Sequence, residues 1–303
     1  MDSTDAVIAV EHLTKRFGDV TAVADVTLRV ERGEIFGFLG PNGAGKTTSV
    51  KMLLGLCRPS GGRARVLGRP LGDRSARARI GYLPELFRYH EWLSAREELH
   101  FHAGLAGIPP RERSREIARV LDLVGLASRA ESRIGTFSKG MQQRVGLAVA
   151  LLGTPDLVIL DEPTSALDPV GRRDVREMLL ALREHGTAVF LNSHLLSEVE
   201  QICSHVAIVD RGRVVADGRV EDLINVAPRV RVVALANGTP LSEVLARFGS
   251  VAPDGDAYVV TLRDADAVPE IARALVASGA AIHAITPLAG SLEARFLELV
   301  TQQ

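Results

Sequence analysis

The segment Gly40-Pro41-Asn42-Gly43-Ala44-Gly45-Lys46-Thr47-Thr48 combines residue types and spacing that suit phosphate chemistry. It fits G-x-x-x-x-G-K-[ST], in which glycines let backbone N–H groups approach phosphate oxygens without a side chain in the way. A helix starting at this loop would add the partial positive charge of its N-terminus. In such a loop Lys46 reaches the β- and γ-phosphates and Thr47 offers its hydroxyl to Mg²⁺. A second constellation is the apolar run Leu157–Leu160, which ends in Asp161 and Glu162. Adjacent residues at a strand end face opposite ways, so the two acids can divide labour. Asp161 would hold a magnesium shell, and Glu162 would polarise an attacking water.

This chemistry requires a strand entering the loop and a helix leaving it. Residues 6–39 alternate in a strand-like way and end in the apolar run Ile35–Leu39, and a helical pattern follows the loop through Leu56. Short strands are expected near Arg63–Leu67 and Arg79–Leu83, and a mostly helical stretch runs from Ser94 to Gly153. The apolar runs Asp156–Leu160, Thr187–Leu191 and His205–Asp210 complete an α/β sheet with a helical insertion at about 86–153. After about residue 225 the pattern becomes βαββαβ. It comprises Arg229–Leu235, the helix Leu241–Phe248, a strand near Val251, Ala257–Leu262, the helix Ala267–Ser278 and Ala281–Ile285. That order suggests a small α+β ferredoxin-like domain over 226–303, with the boundary near Val226–Pro228 and a last helix at Ser291–Val300.

The chain of 303 residues is 46% hydrophobic and 24% charged, which excludes gross disorder. Its formal charge of −1 gives no general attraction to nucleic acid or anionic lipid. Four of the 36 cations are lysines, a skew that makes Lys46 stand out. Two cysteines, Cys57 and Cys203, build neither a disulfide framework nor a zinc site and suit a reducing compartment. The acidic N-terminus does not read as a secretory signal. The longest apolar stretch, near Val145–Gly153, is about half the roughly 20 residues a spanning helix needs. The arginines between Arg58 and Arg79 read as a solvated face, because no aromatic platform interleaves them. No nucleic-acid partner is expected.

A phosphate loop alone leaves kinases, GTPases and motor ATPases open. Phe137-Ser138-Lys139-Gly140-Met141-Gln142-Gln143-Arg144, upstream of Asp161, resembles the signature of ATP-binding-cassette (ABC) proteins. Other motifs resemble that family in order over about residues 6–225. Phe17 matches the aromatic that stacks on adenine, Tyr82-Leu83-Pro84-Glu85 the glutamine loop, Ser165-Ala166-Leu167-Asp168 the D-loop, and His194 the switch histidine. The resemblance implies a P-loop cassette with a mixed sheet core, binding ATP and Mg²⁺ through Gly40–Thr48. It also implies a head-to-tail dimer, a homodimer for this chain, in which Ser138, Gly140, Gln142 and Asp168 serve the nucleotide of the second cassette. His194 would contact the γ-phosphate. Because it follows a predicted strand, as Asp161 does, the two share a sheet edge if those strands are parallel.

Two residues depart from the commoner family pattern. Glu85 stands where many cassettes have glutamine, so a carboxylate faces Mg²⁺ and the γ-phosphate. Lys139 replaces a glycine, which requires that this position not depend on positive φ. Both variants, and the ending Ser291-LEARFLELV, resemble the subgroup that exports drugs, lipids or polysaccharides. The implied protein is an ATPase subunit working with separate integral-membrane permease subunits, cytoplasmic and peripheral at the inner face of the membrane. Leu86, Phe87, Tyr89 and Trp92 are candidates for the permease-docking surface, the alternative being that they fill the insertion's own core. The rival class is a cassette ATPase acting on DNA or ribosomes, and the sequence lacks the coiled-coil insertion, zinc cysteines or second cassette typical of it.

Overall fold

A computed structural model describes residues 6–224, 228–237, 240–288 and 290–301. Ten strands form one sheet: β1 (Ala6–Phe17), β2 (Val20–Glu31), β3 (Ile35–Leu39), β4 (Gly61–Val66), β5 (Arg69–Pro70), β6 (Ile80–Leu83), β7 (Leu157–Asp161), β8 (Ala188–Asn192), β9 (His205–Asp210) and β10 (Arg213–Arg219). Their spatial order is β5-β4-β1-β2-β10-β9-β3-β8-β7-β6. Strands β9, β3, β8, β7 and β6 run parallel. Every residue of β3, β7 and β8 is buried, as expected for parallel strands covered on both faces. Their apolar runs therefore show no alternation. Strands β1, β2 and β4 pair antiparallel, and β2 joins the parallel part through β10 at Arg213 and Asp25. The sheet is mixed, as anticipated.

Local chemistry sets the element ends. The helix after the phosphate loop, Lys46–Leu53, stops short of Leu56. Gly55 turns the chain there at φ +69°, and a Cβ on it would press on the Gly72 backbone. The half-buried strand β10 carries too many charges to stand out in the sequence. In the insertion, Ser94 opens the helix Ala95–Leu105 with a reciprocal cap. Its Oγ accepts from Glu97 N at 3.2 Å, and its backbone N donates to Glu97 Oε2 at 2.8 Å. The helices Pro110–Leu123 and Lys139–Ala150 follow. Strand β6 lies so close to the last of these that a Cβ on Gly81 would collide with the Ala150 carbonyl. In the sheet core Phe36 stacks on Phe190 and Phe38 packs on it at a tilt, with ring centroids 5.6 and 5.3 Å apart.

The chain divides into compact units at Met1–Arg219 and Val220–Gln303. The second therefore includes the helix Val220–Ile224. The boundary anticipated near Val226–Pro228 falls partly on residues 225–227, outside the described residues. Within this unit β11 (Arg229–Leu235), β12 (Gly249–Asp254), β13 (Ala257–Leu262) and β14 (Ala281–Leu288) lie in the order β12-β13-β11-β14. All neighbours are antiparallel. With the helices Leu241–Leu245 and Val268–Ala277 this is two interleaved βαβ halves, the ferredoxin-like arrangement. Val230, Val232, Leu245, Val260, Ile271 and Leu275 form its core. Ser291 caps the last helix, Leu292–Thr301, by accepting from Ala294 N at 3.1 Å.

At the amino edge of the parallel sheet Asp156 receives Arg79 Nε at 2.7 Å and Arg32 Nη1 at 3.3 Å, tying the starts of β6, β7 and β3 together. The hydrogen bond from Arg79 holds its carboxyl below the usual carboxylate range. A depressed folded-state pKa stabilises the fold above the unfolded pKa and is lost as pH falls through the folded one. Asp156→Asn should lower stability at pH 7 by about 1 kcal/mol or less, since both arginines are half exposed. Denaturant titrations at a series of pH values should show the gap from wild type closing as the medium becomes acidic.

Candidate functional site

The glycines of the loop are required by contact and by conformation. A Cβ on Gly40 would collide with the Val209 carbonyl, and one on Gly45 with the Ala22 carbonyl, so β9 and β2 wall the loop closely. Gly43 has φ +82° and open space around it, leaving a smooth concave backbone. Pro41, Asn42 and Ala44 complete the turn, closed by Ala44 N to Pro41 O at 3.2 Å. Gly45, at φ +97°, caps the helix Lys46–Leu53 without a side chain, so no side-chain acceptor covers its first amides. Lys46 is buried, and its Nζ donates to Gly40 O at 2.6 Å and Pro41 O at 3.0 Å. Burial pushes its pKa down, against the opposing fields of Glu162, Asp161 and Glu85. Thr47 is exposed and Thr48 half-buried on the first turn.

Strand register brings the carboxylates to this loop. Strands β7 and β8 pair Asp161 with Asn192, and β3 pairs Phe38 with the same Asn192. Asp161 and His194 therefore do lie past parallel strands at one sheet edge. Asn192 Nδ2 donates to Asp161 Oδ1 at 2.5 Å. Burial raises the Asp161 pKa, with the negative charges of Glu85 and Glu162 adding to it and Asn192 and Lys46 opposing. Glu162 sits in the left-handed region at φ +54°, a cost of order 1 kcal/mol for a non-glycine. It is held there by its own N–H to Asn192 O at 2.9 Å and by Gln143 Nε2 to its carbonyl at 3.3 Å. That twist sends its carboxylate toward His194, whose backbone N donates to Oε1 at 3.0 Å. His194 Nδ1 lies 2.8 Å from Oε2 but off hydrogen-bonding alignment, and Oε2 has no hydrogen-bond partner.

Glu85 is exposed just past β6 and lies within the electrostatic reach of Lys46 and Asp161. Ser138 is the N-cap of the helix Lys139–Ala150. Its Oγ accepts from Met141 N at 3.2 Å and its carbonyl from Gln142 N at 2.9 Å, so its bonds stay on its own helix. Lys139 is an ordinary first helical residue, which explains why glycine is dispensable there. Gly140 is more tightly placed, since a Cβ there would lie 3.2 Å from Leu167 Cδ2 and that side chain would have to give way. Asp168 caps the helix Pro169–Glu184 by accepting from Gly171 N at 2.7 Å. Gln142 Nε2 reaches Phe137 O at 3.5 Å. Phe17 is 52% exposed at the end of β1, with Lys15 Nζ 4.7 Å from its ring centroid.

Lys46, Asp161, Glu162, Glu85 and His194 thus meet at one edge, whereas Ser138, Gly140 and Asp168 gather around the signature helix. Asn192 and Gln143, which hold Asp161 and Glu162, were not singled out by sequence reasoning. Gln143 lies inside the signature and Asn192 two residues before His194, but their partners depend on strand register. The residues fit a nucleotide phosphate chain with a hard divalent cation. An open glycine cradle, uncapped helix amides and a lysine suit anionic oxygens. Three carboxylates and a threonine hydroxyl suit an oxygen-seeking metal. The buried oxygens Glu162 Oε2, Asn192 Oδ1 and Ser49 Oγ lack hydrogen-bond partners.

The family model described as ABC transporter matches residues 23–165. An ABC transporter ATP-binding protein of Synechocystis is 47% identical over 207 residues, which is 68% of this chain and 58% of that protein. The Nod factor export ATP-binding protein I of Cupriavidus pinatubonensis is 37% identical, covering 73% of this chain and 68% of its own length. Among solved structures, an ATP-binding subunit of an ABC transporter superposes with TM-score 0.66 at 33% identity, over 72% of this chain and 91% of that one. The chain spans about three-fifths of the length of the first curated relatives it matches. With the loop, the carboxylate edge and the signature helix in one mixed-sheet fold, the chain belongs to the ABC transporter family of ATP-binding cassettes.

Proposed function

We propose that this chain is the ATP-hydrolysing subunit of an ABC exporter, which binds MgATP between two head-to-tail copies and drives separate membrane subunits. The observation that carries this reading is the convergence of Lys46, Asp161, Glu162 and His194 at one sheet edge. The backbone of Gly40–Gly45 and the amides of Lys46, Thr47 and Thr48 cradle the phosphates, with Lys46 swinging from its loop carbonyls to phosphate oxygens. Thr47 and Asp161 hold Mg²⁺, with Glu85 nearby. When bound, the metal neutralises charge on the β- and γ-phosphate oxygens. Glu162 accepts the proton of the attacking water, and His194 orients that water and the γ-phosphate. Phe17 offers an exposed ring face for adenine.

Ser138, Gly140, Gln142 and Asp168 serve the nucleotide of the second copy. The exposure of Ser138 at the N-terminus of a twelve-residue helix supports this, because a hydroxyl and helix amides are presented outward. No helix among the described residues is long and apolar enough to cross a membrane. In this reading separate membrane subunits supply the spanning part, and this chain works at the inner membrane face. The export direction rests on the relative named for Nod factor export and on the YLPE and FSKGMQQR motifs. Arg79 and Arg63 are paired with Asp156 and Glu11, which supports the solvated reading of the arginine face over a nucleic-acid site.

The aromatics after Glu85 divide between the two alternatives. Phe87 and Tyr89 stack on each other at 5.2 Å, and the Tyr89 hydroxyl packs where a Cβ on Gly146 would meet it at 3.1 Å. Burial pushes the Tyr89 pKa up. Both are half-buried and pack toward the insertion's interior, which supports the core alternative for these two. Leu86 and Trp92 are 88% and 70% exposed, and Phe101 and Leu105 add to the apolar surface of the insertion. That surface takes the permease.

Replacing Glu162 by Gln keeps its shape and removes its basicity. Steady-state ATP hydrolysis should fall by roughly 10²–10⁴ while ATP remains bound. Sedimentation of that variant with MgATP should show a dimer, and a strictly monomeric ATP-bound species would contradict the two-cassette reading. For the docking surface, Trp92→Ala should weaken co-purification of the membrane subunit by about 2 kcal/mol with an unchanged melting temperature. Tyr89→Ala should instead lower stability by about 3 kcal/mol, measured by thermal denaturation.

A further inference from the structure

Glu98 is 1% exposed on the helix Ala95–Leu105, yet it belongs to no motif assigned above. Both its oxygens are engaged. His90 Nδ1 lies 2.9 Å and the His90 backbone N 3.4 Å from Oε2, and His102 Nε2 lies 3.2 Å from Oε1. A buried carboxylate between two imidazoles costs desolvation that an apolar residue at this helical position would avoid. Its contacts instead define geometry. The His90 ring is the seat of Trp92 at 5.0 Å and of Phe101 at 5.6 Å, both edge-on, and these two are exposed. On the other side the His102 ring meets Tyr89 edge-on at 5.9 Å, and Tyr89 packs against Gly146 of the signature helix. The titratable groups facing Glu98 are thus His90, His102 and the Tyr89 hydroxyl. The segment they clamp begins at Glu85, which feels the charges of Lys46 and Asp161.

We propose that Glu98 is a positioning residue, a strut that locks the segment Leu86–Trp92 to the helix Ala95–Leu105. Charge arriving beside Glu85 then moves Trp92 and Phe101 as one body. The γ-phosphate repels the Glu85 carboxylate and Mg²⁺ attracts it, so either displaces the start of the segment. Without the strut, that displacement dissipates in the chain between Leu86 and Trp92. The inference rests on the reading of this surface as the permease-facing one.

Trp92 is the only tryptophan in the chain, so its emission reports the far end of the strut directly. The full chain carrying Glu162→Gln, which retains ATP, is titrated with MgATP. A saturable change in Trp92 emission is expected. Adding Glu98→Ala should abolish most of that amplitude while the ATP midpoint stays within about threefold. Glu98→Gln, which keeps the size and one acceptor oxygen, should recover part of it. If Glu98→Ala melts early, His102→Gln, which loosens one arm of the clamp at a half-exposed position, should also reduce the amplitude. A full response in folded Glu98→Ala or in His102→Gln overturns the strut, as does no response in the parent. The docking reading fails separately: a strut-dependent response with no membrane partner affected by Trp92→Ala leaves the strut standing and removes the partner.

Discussion

The parallel register of β3, β8 and β7 is the constraint from which the site follows. Phe38, Asn192 and Asp161 stand side by side because these strands pair as they do. A slip of one residue would turn every side chain of a strand to its other face. Asp161 would then lose Asn192, and Glu162 would lose the carbonyl that accepts its N–H. The register is protected by complete burial. Apolar side chains fill both faces of β3, β7 and β8, and Phe36, Phe38 and Phe190 interlock in the sheet core.

On that platform the fold sustains charges that would otherwise be costly. Burial disfavours the charged forms of Lys46 and Asp161, and Lys46 is partly compensated by the nearby carboxylates of Glu162, Asp161 and Glu85. The left-handed turn at Glu162 is a further local cost, and it alone redirects that carboxylate from the sheet toward His194. Such a cluster is poorly suited to stabilising the protein by itself. It is well suited to a polyanionic ligand with a divalent cation, which changes the charge balance that every member feels.

The insertion carries a second, independent polar arrangement. Its signature helix is approached by Leu167 at Gly140 near its N-terminus and by β6 at Ala150 at its C-terminus, where a Cβ on Gly81 would collide with the Ala150 carbonyl. Between these ends Gly146 faces Leu83, Tyr89 and Phe87, the last two reached by the chain directly after Glu85. The surface of the insertion and the nucleotide edge are therefore connected through a short stretch of packed aromatic rings rather than through a loose loop.

The phosphate loop, the paired acids, the signature and the βαββαβ order of the second unit were legible in the sequence. Each is carried by contiguous residues whose spacing is local: glycines at fixed offsets, acids closing an apolar run, and hydrophobic periods of two or near four. Helix and strand ends were less legible, as at Leu53 and in the charged β10, because turn glycines and sheet neighbours decide them. Tertiary structure alone decided that Asn192 secures Asp161, that Gln143 holds the Glu162 peptide, and that Tyr89 packs inward at Gly146 while Trp92 is surface. The same holds for His90 and Glu98, whose contact joins a loop to a helix. These pairings arise from strand register and helix packing, which bring together residues that no local spacing relates.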